Sequence, residues 1–329
     1  MDRETAKQRR AESKRPLLDV QRKPVGARTK EQQYQPAGKG SMLQTLIWAP
    51  GNWEILKVTN TLRAYFMEIL GTLLFTLATN MAVSLSIATS TSLLSGVLVG
   101  VVAGGTYCMA GSWLRTSSKD ESDYELPRHL SWSVSFGHFL VMRLGLWYLL
   151  WYLVAQTAGA ATAGGLLWFF GNGVVPFSLT TVGGGPITPN NGFYWALEIL
   201  GPMFIVFSVL YNNYLSTYFR QTADKRSEEE NIRHGVYAGG LVRLFWTAIF
   251  FNKGAYSFDA VVYIAGVIGT CATACLSSDG NGWWFYILVP LIGSVCAAIL
   301  YILPIMLFSY GRSEREMRRH NQRPATSDE

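Results

Sequence analysis

The sequence predicts an all-α protein that spans a membrane, and three observations lead to this prediction. Hydrophobic residues make up 49% of the 329 residues, whereas charged residues make up only 15%. The apolar residues gather in runs about 20 residues long, the length that a helix needs to cross about 30 Å of hydrocarbon. The tetrapeptide Glu-Ile-Leu-Gly occurs twice, at 68–71 and 198–201, each time inside such a run.

Six apolar runs are expected to cross the membrane as helices. In chain order they cover residues 62–85, 93–110, 147–170, 193–215, 236–251 and 283–308. The fifth run is short and contains Arg243, which makes it the weakest of the set by composition. An even number of spans places both ends of the chain on the same side of the membrane.

The positions of the basic residues predict which side that is. The net charge is +6, and Lys and Arg are concentrated at the two ends and in the loops after the second run and before the fifth. On the other side only Lys253 is basic. Because basic loops stay in the cytosol, we expect an integral multi-pass protein with both termini cytosolic, in a plasma or an intracellular membrane. The charge thus reports topology, and no nucleic-acid partner is expected.

The chain divides into five segments along its length. Residues 1–45 form a basic cytosolic tail, which is too poor in apolar residues to fold alone and is expected to be disordered. A first repeat at 46–175 and a second repeat at 192–309 contain three spans each. They are joined by an outer loop at 176–191, rich in Gly and Pro, and the chain ends in a polar cytosolic tail at 310–329.

Glu68 and Glu198 indicate what such a duplicated protein does. A carboxylate at membrane depth is costly, so it needs partners inside the protein and usually has a function. Paired hydrophobic halves are the sequence signature of transport folds with inverted repeats, whose working site lies where the halves meet. The sequence therefore favours passage of a solute across the membrane.

An enzyme is not expected, and neither is a metal or another cofactor. The histidines, at positions 129, 138, 234 and 320, have no nucleophile or metal partner at a useful spacing. Cys271 and Cys275 are four residues apart, but no His or second Cys pair completes a zinc site.

Several segments together resemble the aquaporin, or major intrinsic protein, family over about residues 60–308. Residues 63–72, 155–160 and 284–301 are similar to that family's first, third and last helices. Residues 129–137 read His-Leu-Ser-Trp-Ser-Val-Ser-Phe-Gly where the family has His-Leu-Asn-Pro-Ala-Val-Thr-Phe-Gly. The resemblance implies six transmembrane helices plus two re-entrant half-helices in an inverted 3+3 repeat.

Both Asn-Pro-Ala triplets of that family are altered in this sequence. Their replacements are Ser131-Trp132-Ser133 and Phe258-Asp259-Ala260. The alignment of the second triplet leaves a displacement of one residue open. In the family the triplets lie where two half-helices meet at the midplane, with their positive ends opposing cations and protons. The resemblance also implies that Glu68 and Glu198 brace the re-entrant segments by accepting backbone N–H groups.

The altered triplets change the chemistry expected at this meeting point. Ser131 is still able to cap the first half-helix, whereas Trp132 is large enough to fill space that the family keeps open. Asp259, expected at the first helical position of the second half-helix, is favourable because carboxylates stabilise helix N-termini. It also brings a negative charge near the midplane. Phe258 offers no hydrogen-bond donor to a permeating molecule.

The resemblance further implies an outer constriction formed by four side chains. By position these are Ser95, Trp246, Ala255 and Val261. Val261 takes the place of the arginine that donates hydrogen bonds to water in the family. Arg243 lies one turn before Trp246, and three roles are open for it. It substitutes for that arginine, extends to the membrane surface, or pairs with Asp259 or Glu198.

Three functions follow from these features. The first is a passive channel for water or small neutral solutes such as glycerol, with the lipid bilayer as its surroundings and a homotetramer implied by the family. The second is a cation-permeable pore, because the family's arginine is missing and Asp259 is added. The third is a non-conducting scaffold or interaction protein, in which Trp132, Phe258 and Trp246 fill the path. We carry the first hypothesis forward.

Overall fold

The computed structural model describes residues 58–88, 93–113, 128–171, 192–215, 228–251, 259–274 and 283–321. These ranges contain helices and no strand. The helices are α1 Val58–Ala88, α2 Leu93–Trp113, α3 Trp132–Leu140, α4 Leu146–Gly171, α5 Gly192–Leu210, α6 Glu228–Phe250, α7 Ala260–Ala274 and α8 Trp283–Asn321. A π-helical turn at Tyr211–Leu215 follows α5. The segments 1–45 and 176–191, expected to be a tail and a loop, lie outside the described residues.

Five of the described helices are long and apolar enough to cross a membrane. The spans are Leu62–Ser86, Leu94–Ser112, Leu146–Phe170, Trp195–Asn213 and Tyr286–Leu307. The fifth run of the sequence forms α6, which is more polar because it begins with three glutamates and contains Arg243. It nevertheless packs along the full bundle beside α2, so we count it as the sixth span. Many large apolar side chains on the outer faces are exposed, as expected in lipid.

The helices pack as two equivalent halves. In the first half α1 packs against α2 and α4, and in the second half α5 packs against α6 and α8. Each short helix packs against the opposite half. Helix α3 of the first half packs against α5 and α8, and helix α7 of the second half packs against α1 and α4. The contact between α2 and α6 joins the halves on the other side of the bundle. This arrangement is the inverted repeat with two short re-entrant helices that the sequence predicted.

Small residues bring α2 and α6 together at backbone distance. Gly96, Gly100 and Gly104 recur every four residues on α2, and a methyl group added to any of them would meet backbone atoms of α6. Such stripes are how helices pack closely in lipid, where dispersion replaces the hydrophobic effect. The stripe was not predicted, although its spacing of four residues is visible in the sequence.

The two repeats also share a glycine contact next to each buried glutamate. A methyl group on Gly159 of α4 would collide with the carbonyl oxygen of Ile69, and one on Gly293 of α8 would collide with that of Ile199. The last helix of each half therefore packs directly onto the first. The last helix also continues past residue 309, the expected end of the second repeat, to Asn321.

Candidate functional site at the tips of the re-entrant helices

The chain segment that leads into α3 is held by Glu68 of α1. The fully buried carboxylate accepts the backbone N–H of His129 at 3.2 Å and that of Leu130. The side-chain amide of Gln156 donates a third hydrogen bond to it at 2.8 Å. Leu130 has a φ of 57°, in the left-handed region that a leucine rarely adopts. Two consecutive N–H groups bound to one carboxylate hold this unfavourable backbone in place.

A buried polar network continues from this brace into the first half. Gln156 also donates to the Ser135 hydroxyl at 2.9 Å, and that hydroxyl lies 3.1 Å from Nδ1 of His129. The His129 ring is stacked between His138, at 4.2 Å between ring centroids, and Tyr152, at 4.6 Å. These contacts fix the position of the first re-entrant helix relative to α4.

Ser131 is the N-cap of α3. It has an extended backbone, and its carbonyl accepts the N–H of Ser135 at 3.0 Å, but its side chain makes no capping hydrogen bond. The next residue, Trp132, is half-buried and packs against the apolar cluster that includes Val261. Ser294 of α8 donates to the carbonyl of Ser133 at 2.9 Å, so the far half fixes the first turn of α3.

Asp259 has the equivalent position at the start of α7. It precedes the first helical residue, its carbonyl accepts the N–H of Tyr263 at 3.3 Å, and its carboxylate accepts the N–H of Val261 at 3.4 Å. The sequence had placed Asp259 at the first helical position, one residue later than its place in the structure. Aspartate is a strong N-cap because its oxygens satisfy helix N–H groups that otherwise lack partners. Phe258 lies outside the described residues, so the assignment of the second triplet stays a prediction.

Arg243 of α6 pairs with Asp259. The distance from the guanidinium Nη2 to the carboxylate Oδ2 is 2.9 Å, and both side chains are buried. The guanidinium carbon lies 4.7 Å from the centre of the Phe75 ring and 5.3 Å from that of Tyr107. Of the roles left open for Arg243 by the sequence, the structure shows the ion pair with Asp259. The Ser131 hydroxyl lies near the same carboxylate.

The residues expected at the outer constriction lie in separate environments. Ser95 is buried on α2. Trp246 is half-buried and contacts Phe204 and Phe250, at 5.5 Å and 4.7 Å between ring centroids, whereas Val261 belongs to a different apolar cluster. Ala255 lies outside the described residues.

Thr247 is a buried polar residue of α6 that was not predicted from the sequence as part of the site. It is fully buried and lies one turn after Arg243 on the same helix face. The spacing of four residues between them was the available signal.

Glu198 is also buried. Residues 252–258, which precede α7, lie outside the described residues.

Comparison with known proteins gives one family and one fold. Residues 54–301 match the model of the Major intrinsic protein family. The fold is similar to the X-ray structure of the aquaglyceroporin from Plasmodium falciparum, with a TM-score of 0.53 and 17% sequence identity. That match covers 74% of this chain and 98% of the other. No curated protein matches the sequence.

Proposed function

Because this chain belongs to the major intrinsic protein family, we propose that it is a passive channel for water and small neutral solutes such as glycerol. The family consists of membrane channels rather than enzymes, so the chain is an integral membrane protein of that kind. What passes through it, and whether ions do, depends on the chemistry at the tips of α3 and α7. These tips contact each other inside the bundle.

The ion pair between Arg243 and Asp259 carries this proposal. A carboxylate near a pore favours cations, which was the basis of the cation hypothesis. Here Asp259 is bound to a guanidinium at 2.9 Å and to a helix N–H, so its charge is cancelled locally. The positive ends of α3 and α7 then dominate the field at the meeting point and oppose cations. Neutral solutes experience no such barrier.

Buried polar atoms beside this pair support a route for water. The Nε of Arg243 and the Thr247 hydroxyl make no hydrogen bond to any described residue. Buried polar groups are normally satisfied, and water is the smallest group that satisfies them. Since Arg243 and Thr247 share one face of α6, we place the route between this face and the two helix caps.

Reconstitution into liposomes tests the proposal. Stopped-flow light scattering would follow shrinkage under a sucrose gradient and re-swelling under a glycerol gradient, while a potassium-sensitive dye reports cation flux. We expect faster water and glycerol movement than in empty liposomes, and no cation flux. Cation flux that disappears in Asp259→Asn would support the cation pore instead. Traces equal to those of empty liposomes, with folded protein inserted, would support the non-conducting scaffold.

A matched pair of variants tests the proposed route. Thr247→Val keeps the shape of the side chain and removes its hydroxyl, so water movement should become slower. Thr162→Val makes the same change at an exposed threonine of α4 whose hydroxyl bonds to its own helix, and its flux should equal that of the wild type. Equal flux in both variants would exclude a route past Thr247.

We also propose that both termini are cytosolic and that the protein forms a homotetramer with one pore in each protomer. The basic residues at the two ends and in the loops of one side support the orientation. The large apolar side chains on the outer faces are compatible with lipid and with neighbouring protomers. Protease protection of terminal tags in sealed vesicles tests the orientation, and native mass spectrometry tests the assembly.

A further inference from the structure

We propose that a surface between the first turns of α1 and α4 binds an anionic phospholipid of the adjacent leaflet. Its aromatic part consists of Tyr65, Trp147 and Trp151, and its basic part consists of Arg63 and Arg143. We call these five residues the aromatic–basic surface. Binding there does not depend on passage of a solute through the protein.

The aromatic part is a connected set of rings that crosses from one helix to the other. The Trp151 ring of α4 stacks on the Tyr65 ring of α1, with 5.8 Å between ring centroids, and meets the Trp147 ring edge-on at 6.0 Å. Trp147 is 48% exposed and Trp151 is 43% exposed. Tryptophan and tyrosine favour the boundary between lipid headgroups and hydrocarbon. The rings therefore mark the level at which a headgroup meets the protein.

The two arginines of the surface lie at the same end of the bundle as these rings. Arg63 is in the first turn of one membrane span, Arg143 precedes the first turn of another, and both are exposed. The two spans start side by side, because α1 packs against α4 and their first turns share the stacked rings. Arginine binds phosphate through its forked N–H donors, so charge favours an anionic headgroup here. With the orientation proposed above, this end lies in the cytosolic leaflet, which carries anionic lipids.

Apolar side chains continue the surface toward the membrane centre. Phe66 of α1 is 62% exposed and Val154 of α4 is 59% exposed. On the same face of α4 follow the small exposed residues Ala158 and Thr162, which leave space for an acyl chain beside the helix. The order of charge, ring and apolar strip is the order of phosphate, glycerol backbone and acyl chain in a phospholipid.

The equivalent surface of the second half lacks the charges. When the repeats are aligned by their buried glutamates, Arg63 corresponds to Phe193, and when they are aligned by their packed glycines, Arg143 corresponds to Ser277. Aromatic residues remain frequent there, as at 283–286. Rings are therefore common to both repeats, whereas arginine belongs to the first alone. This difference favours an anionic phospholipid over a general contact with lipid.

Native mass spectrometry of the purified full-length protein tests the site. The protein is titrated with dioleoyl phosphatidylglycerol and, separately, with dioleoyl phosphatidylcholine, which has the same acyl chains. We expect tighter binding of phosphatidylglycerol. In the double variant Arg63→Gln and Arg143→Gln, its affinity should fall about thirtyfold, since each arginine beside an anionic lipid surface strengthens binding about fivefold. The affinity for phosphatidylcholine should not change.

Two further variants separate the charges from the rings. Arg233→Gln is the matched control, because it removes an exposed arginine of α6 outside the aromatic–basic surface, and its preference for phosphatidylglycerol should equal that of the wild type. Trp151→Leu removes the ring that stacks on Tyr65, and the affinity for both lipids should fall.

Several results would overturn the proposal. One is equal affinity of the wild type for the two lipids, and another is an unchanged affinity for phosphatidylglycerol in the double variant. Loss of cholesterol binding in Trp151→Leu, without a change in phosphatidylglycerol binding, would assign the surface to a neutral sterol. A change of oligomeric state in Trp151→Leu, seen in the same spectra, would assign it to a second copy of the chain. The proposed channel function stands in every case.

A single substitution keeps the test decisive if the double variant does not fold. Arg63→Gln alone should lower the affinity for phosphatidylglycerol about fivefold and leave that for phosphatidylcholine unchanged. Arg63→Lys should retain the preference, because lysine also binds phosphate as a point charge. No loss in Arg63→Gln, or an equal loss for the two lipids, would exclude Arg63 from the site.

Discussion

The two re-entrant helices have different caps. The first helix follows Ser131, whose side chain makes no hydrogen bond to the helix. The second helix follows Asp259, whose carboxylate caps the helix and also pairs with Arg243. The first helix is instead stabilised from behind, where Glu68 binds the two N–H groups that precede the cap. Among the described residues, the charge that holds the first helix therefore lies outside the meeting point, whereas a charge that holds the second helix lies within it.

This difference shows that two repeats with the same backbone arrangement can place their buried charged groups in different positions. Each first helix carries a buried glutamate, and each last helix packs onto it through a glycine. The charged pair at the tips is present in the second half only, as far as the described residues show. The shared features set the architecture, and in the proposed channel the unshared pair sets the chemistry encountered by a solute.

The largest effect is expected when the brace of the first half is removed. Glu68→Ala would leave the buried N–H groups of His129 and Leu130 without an acceptor. It should lower the free energy of unfolding by about 3–5 kcal/mol, since each unsatisfied buried group costs about 1–3 kcal/mol. Thermal unfolding in detergent measures this. Glu198→Ala measures the second half, and equal losses would mean that both halves depend on their glutamate alike. An unchanged melting temperature in Glu68→Ala would contradict the brace.

The ion pair should show strong coupling between its members. Arg243→Met or Asp259→Asn alone leaves one buried charge without its partner and should cost about 3 kcal/mol. The double variant should cost clearly less than the sum of the two, because neither charge remains. Denaturation of all four proteins gives the coupling energy. Additive losses would show that the two side chains do not stabilise each other.

The glycine contacts should be equivalent in the two halves. Gly159→Ala and Gly293→Ala each force a methyl group against the backbone of the first helix, which should cost about 2 kcal/mol by overpacking. Gly165→Ala is the control, because nothing lies within 4 Å of its added methyl group. If only one of the two variants, Gly159→Ala or Gly293→Ala, has a lower melting temperature, the two repeats are not equivalent at this contact.

The smallest effect is expected at the cap of the first half. Ser131→Ala removes a hydroxyl that makes no capping hydrogen bond, so stability should change by no more than about 0.5 kcal/mol. An ordinary N-cap serine contributes about 1 kcal/mol. A loss of that size, measured by thermal unfolding, would mean that the hydroxyl caps α3 or binds Asp259 after all.

The sequence predicted the helices well because apolar runs of membrane-spanning length leave few alternatives. It left the register of the second triplet open, because Phe258 and Asp259 both depart from the family triplet. Nor did it identify the partner of Arg243, since two carboxylates lay within plausible reach. That contact depends on how α6 packs against α7, which no local pattern encodes. The environment of Trp246 likewise depends on the rotation of α6.

The hydrogen bond from Ser294 to the carbonyl of Ser133 joins residues 161 positions apart, and this separation has a consequence for biogenesis. At about 5–20 residues per second, synthesis of the intervening chain takes on the order of ten seconds. During that interval the first re-entrant helix lacks the surface that α8 provides, so the emerging protein holds an unfinished half inside the membrane. The arrival of the last helix is the event that completes the first repeat as well as the second.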